Sequence, residues 1–119
     1  MENISAKAPW KNHLGEVPFT LDYFGGSMFE AGEKIAKQYP NNIAFDFMGR
    51  STTYKTLVRE IEDCAKALRT IGVREGDKVT IAMPNCPQAI QMFYAVNLIG
   101  GICNMIHPLS AEKEIEFYL

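Results

Sequence analysis

The chain has 119 residues, 47% apolar and 22% charged, with a formal charge of −2. That length and balance fit one globular domain with a real core and exclude an intrinsically disordered chain. The 12 basic residues are scattered, so nothing favours nucleic acid, whose phosphates require clustered Lys and Arg.

Residues 1–18 show no periodicity and read as an irregular arm, with residues 19–119 as one α/β segment. Trp10 and Phe19 are expected to pin that arm to the body by burial. Ser27 and Glu30 have capping-box spacing and predict a helix start. Met28, Ala31, Ile35 and Tyr39 then recur at helical spacing, and Pro40-Asn41-Asn42 stops the helix. Ile43 to Met48 alternates, with Ile43, Phe45 and Phe47 on one face, which predicts a strand buried on that side. Gly49-Arg50 fits a tight turn, with Ser51-Thr52-Thr53 returning as a hairpin arm.

Leu57, Val58, Ile61, Ala65, Leu68 and Ile71 line one face of the next helix. Thr53 is its predicted N-cap and Gly72 its stop. Its charges, Arg59 to Arg69, read as a solvated face. A strand follows from Lys78 to Met83, and then Pro87 opens a helix to about Ile99. That helix is apolar nearly all round, so it should be covered on more than one side. Gly100-Gly101 ends it, and Ile102 to Ile106 reads as a strand. Strand, helix and strand make a βαβ unit with two parallel strands. Ser110 is the predicted cap of a last helix, with Ile115, Tyr118 and Leu119 on one face. The chain stops inside that pattern, which is read as truncation at the C-terminal end.

Little in this sequence carries chemistry by itself. Phe24-Gly25-Gly26-Ser27 precedes a helix, but no strand runs into the glycines and no phosphate-loop motif is present, so capping is the expected role. His13 and His107 have no second ligand at metal spacing. His107 ends a strand, where ligands gather in parallel sheets, yet it lacks an orienting partner and reads as structural or solvated. A Cys-His nucleophile from Cys86 or Cys103 with His107 would lack a third group and an oxyanion hole. Asp46 and Asp77 read as strand-edge and turn residues. The three cysteines, Cys64, Cys86 and Cys103, are odd in number and form no CxxC, which predicts free, buried thiols in a reducing cytosol. Met1 to Lys11 lacks the apolar run of a signal peptide, and no stretch is long and apolar enough to span a bilayer. A cytoplasmic location is therefore expected.

Several segments, in order and at matching spacing, resemble one family. Thr53-Tyr54-Lys55-Thr56-Leu57 resembles the T-Y-x-E-L opening of adenylate-forming enzymes. Gly72-Val73-Arg74-Glu75-Gly76-Asp77-Lys78-Val79 resembles their G-V-x-x-G-D-x-V turn. Asn85-Cys86-Pro87-Gln88 resembles their N-x-x-E helix start, and Gly100-Gly101 with His107-Pro108 resembles their G-A…N-P segment. Leu21-Asp22-Tyr23-Phe24 to Tyr39-Pro40 is similar to the helix that precedes the first hairpin in such enzymes. The whole resembles the N-terminal part of the acyl-CoA synthetase family, in the AMP-binding superfamily with luciferases and peptide-synthetase adenylation domains.

Thr56 and Gln88 stand where the family has Glu, and His107 where it has Asn. Without the Glu, Thr53 lacks a reciprocal capping partner, a cost of some tenths to about 1 kcal/mol. Leu98-Ile99-Gly100 lacks the Lys of the peptide-synthetase pattern Lys-Ala-Gly, so the likeness leans to CoA ligases.

The resemblance implies an α/β fold: a mixed, largely parallel sheet with about four flanking helices. It implies a ligase that joins ATP to a carboxylic acid as an acyl-adenylate and passes the acyl group to CoA. Fatty acids, long-chain ones among them, are the expected acids. The Ser/Thr/Gly-rich phosphate loop, the acidic groups for ribose and Mg²⁺ and the Lys of a mobile C-terminal domain would lie beyond residue 119. No catalytic, cofactor-binding or metal residue is therefore assigned, and the chain alone is expected to be inactive. ATP, Mg²⁺ and CoA belong to the full-length parent. The expected partner is the rest of that enzyme, or other copies of the isolated chain meeting through exposed apolar surface. The competing reading is a stand-alone, non-catalytic α/β protein-interaction module. A small nucleotide-binding sheet protein is disfavoured because no phosphate loop follows a strand.

Overall fold

A computed structural model describes residues 9–18 and 20–119. Helix α1 spans Met28–Gln38 and begins where the sequence places it. The Ser27 hydroxyl accepts from the Glu30 amide at 3.1 Å, and the Ser27 amide donates to the Glu30 carboxylate at 2.7 Å. The buried face differs from the predicted one. Phe29 and Ala36 are buried, while Met28, Ile35 and Tyr39 are 54%, 40% and 46% exposed. Helix α1 packs on both neighbouring helices, and Phe29 joins the core cluster with Leu57 and Ile61. The Phe29 amide, an orphan donor of the first turn, donates to Asn97 Oδ1 at 2.9 Å on that side.

Strands β1 (Ile43–Phe47) and β2 (Arg50–Thr53) form an antiparallel hairpin. Phe47 pairs with Arg50, so the loop is Met48-Gly49, one residue earlier than expected. Both loop residues have positive φ, 49° and 80°, as a primed two-residue turn requires. The register slips between Ile43 and Phe45, and this breaks the predicted buried face. Ala44 and Phe45 pack against the core, whereas Ile43 is 55% and Phe47 36% exposed.

Helix α2 (Tyr54–Thr70) has its first turn fully supplied with acceptors. Thr53 Oγ1 accepts from the Thr56 amide at 3.3 Å. The Tyr54 and Lys55 amides donate to the carbonyls of Asn42 and Pro40, both at 3.0 Å. Thr56 offers no carboxylate to the Thr53 amide, so the cap is one-sided, as the sequence predicts. Leu57, Ile61, Ala65 and Leu68 are buried as predicted. Ile71 is 78% exposed, because it is the C-cap and already leaves the helical path. Gly72 follows at φ 100°, and the Val73 amide reaches back to the Leu68 carbonyl at 3.0 Å. This is the Schellman closure that glycine permits.

Strands β3 (Lys78–Ile81) and β4 (Ile102–Met105) pair in parallel, Lys78 with Ile102 through Ile81 with Met105. Helix α3 (Pro87–Leu98) connects them, as the βαβ reading predicts. The two ladders are separate two-stranded sheets, one antiparallel and one parallel. Helix α3 touches α1, α2, β3 and β4, so it is indeed covered on several sides. Ile81, Ala95 and Val96 are 2%, 0% and 0% exposed and form the heart of the core with Ile61 and Leu68.

Helix α4 (Glu112–Tyr118) is capped at Ala111, not Ser110. The Ala111 amide donates to the Glu114 carboxylate at 3.1 Å, so the helix starts one residue later. Of its predicted apolar face only Ile115 is half-buried; Tyr118 and Leu119 are 51% and 79% exposed. In the arm, Pro9–His13 forms a 3-10 turn, and Trp10 is 56% exposed rather than pinned. Phe19 lies outside the described residues.

Candidate functional site: an apolar groove beside α3

The hairpin and α3 enclose a groove of about 450 Å³. Phe45 and Phe47 are two residues apart, so the pleat puts both on one face of β1. Ile90, Phe93 and Tyr94 recur at helical spacing and supply the opposite wall. Met105 of β4 lines it too, together with Asp46, Asn85 and Cys86. The rings of Phe93 and Tyr94 meet edge to face, 5.3 Å between centroids. The groove offers apolar contact, and it brings together no nucleophile, base and oxyanion donors.

The chemically suggestive residues of the sequence are engaged in local structure. The Glu30 carboxylate already occupies the start of α1, so the segment Phe24 to Ser27 has a built-in anion. The His107 Nδ1 accepts from the Leu109 amide at 3.2 Å, which makes His107 a turn residue. The Cys103 thiol donates to the Phe93 carbonyl at 3.5 Å, and the Cys64 sulfur lies 4.0 Å from that of Met92. Burial pushes both thiols up from their ordinary pKa, so neither is a poised thiolate. Cys86 sits at the N-cap of α3 and gives it no side-chain hydrogen bond. His13 is exposed at the end of the 3-10 turn.

Asp46 accepts from the Ser51 hydroxyl across the hairpin, and Asp77 Oδ2 accepts from the Arg74 amide at 2.8 Å in the turn before β3. Both carboxylates play the strand-edge and turn roles read from the sequence. Lys66 pairs with Asp63 at 2.9 Å on the solvated side of α2. Its ammonium is pushed up first by the hydrogen bond to Asp63 and then by that carboxylate's charge. Among the described residues, no three of His, Cys, Asp and Glu come together as a metal site. No helix of these residues is long and apolar enough to cross a membrane.

One residue that matters to the architecture, Asn97, and the groove as a whole are not singled out by sequence reading. Asn97 looks like a stray polar position on an apolar helix. Its signal is that a polar group among buried neighbours must have a partner, which proves to be Phe29. The groove itself needs two elements distant in sequence, and no local motif marks it.

The sequence profile described as AMP-binding enzyme matches residues 32–119. The long-chain-fatty-acid–CoA ligase of Bacillus subtilis (strain 168) is 27% identical over 117 residues, 98% of this chain and 21% of the ligase. Acetyl-coenzyme A synthetase 1 of Saccharomyces cerevisiae is 36% identical over 81 residues, 62% of this chain and 11% of that protein. In three dimensions the chain resembles the NpsA N-terminal subdomain of Klebsiella oxytoca. The TM-score is 0.76 at 24% identity, over 78% of this chain and 24% of that one. The chain thus spans about a fifth or less of these curated relatives, 21% and 11% of their lengths. With the profile matched over residues 32–119 and the fold of an N-terminal subdomain, the chain belongs to the AMP-binding enzyme family.

Proposed function

We propose that the chain is the N-terminal framework of a cytoplasmic acyl-CoA synthetase and carries none of its catalytic groups. The parent reaction joins a fatty acid to ATP as acyl-adenylate with release of diphosphate, then transfers the acyl group to CoA with release of AMP. The observation that carries this reading is the alignment with the long-chain-fatty-acid–CoA ligase over 98% of the chain. Two features speak against Mg²⁺ or a nucleoside triphosphate being held by the described residues. Asp46 and Asp77 are tied to Ser51 and Arg74, and no glycine-rich loop leads from a strand into a helix. On this reading ATP, Mg²⁺ and CoA would be held by the rest of the parent.

In that parent, the remaining polypeptide would cover the groove and the apolar side of α1. Alone, the chain keeps these surfaces open and associates with other copies of itself. Titration calorimetry with ATP tests the non-catalytic part: no heat of binding is expected, and a micromolar constant overturns it. The DNA after codon 119 tests the parentage. A continuing frame that encodes a Ser/Thr/Gly-rich loop followed by Lys supports the ligase, and an immediate stop favours a stand-alone interaction module. Thioester formation by the product of such a frame, offered long-chain, acetic and aryl acids, tests the substrate. Preference for the long-chain acid is expected.

A further inference from the structure

We draw no further inference here: the strongest candidate, the apolar groove between the β1–β2 hairpin and α3 lined by Phe45, Phe47, Phe93, Tyr94 and Met105, carries nothing, because nothing in the structure shows what covers it.

Discussion

The seam between α2 and α3 and the groove on the other side of α3 are built from the same kinds of residue, yet only one is closed. At the seam, Ile61, Ala95 and Val96 are 3%, 0% and 0% exposed, and Leu68 and Ile81 pack with them. Across the groove, Phe47 and Met105 stay 36% and 52% exposed because no described element of the chain lies over them. Burial is a property of what stands opposite a side chain. Apolar character makes it favourable, at roughly 25 cal/mol per Å², and does not guarantee it. One helix can therefore be core on one side and unfinished on the other.

Substitutions should separate the two regions sharply. Ile61→Ala removes packing from the closed seam and should destabilise the fold by about 2–5 kcal/mol, read by urea unfolding. A loss smaller than about 0.5 kcal/mol, the level of surface changes, would mean the seam is no better filled than the groove. Gly72→Ala forces a Cβ into a left-handed position at φ 100° and should cost about 1–2 kcal/mol. If thermal melts show no change, the Schellman end of α2 is not holding that side together.

Ser27→Ala removes the cap of α1 and should cost about 1 kcal/mol. Hydrogen exchange should then rise in α1 while the α2 seam stays protected. Phe47→Ala, on the open side, should change the stability of dilute protein by no more than about 0.5 kcal/mol in the same urea experiment.

The thiols give a pH-dependent version of the same contrast. Cys64 and Cys103 have raised pKa values from burial, so the folded state holds their protons more firmly than the unfolded chain does. Their contribution is complete below the unfolded thiol pKa of about 8.5, and it is lost as pH rises through the raised folded values. Urea midpoints should be unaffected by these thiols at neutral pH and should fall in alkali. The variant Cys64→Ala with Cys103→Ala should lose that alkaline fall, and an unchanged slope would show that other groups cause it.

Local chemistry explains which parts were legible in advance. The capping pair Ser27 and Glu30, the Thr53 cap, the Gly72 stop and the parallel pairing across α3 all rest on contacts within a few residues or on simple connectivity. The family likeness was legible for the same reason, since it lies in turn and cap segments such as Thr53 to Leu57 and Gly72 to Val79. The face of α1 was not legible, because it depends on packing against helices distant in sequence, where the Phe29 amide also meets Asn97, 68 residues away. The exposure of Ile43 was hidden too: alternation in sequence assumes an unbroken register, and the ladder slips beside it.

The sequence by itself determined the helices, the hairpin, the βαβ unit and the lack of a phosphate loop, because caps, turns and periodicity act over one or two turns of chain. Tertiary structure alone decided which apolar faces are roofed and which are open. Whether a side chain meets protein or water depends on elements far away in sequence, and for the groove beside α3 no described element of this chain provides the cover.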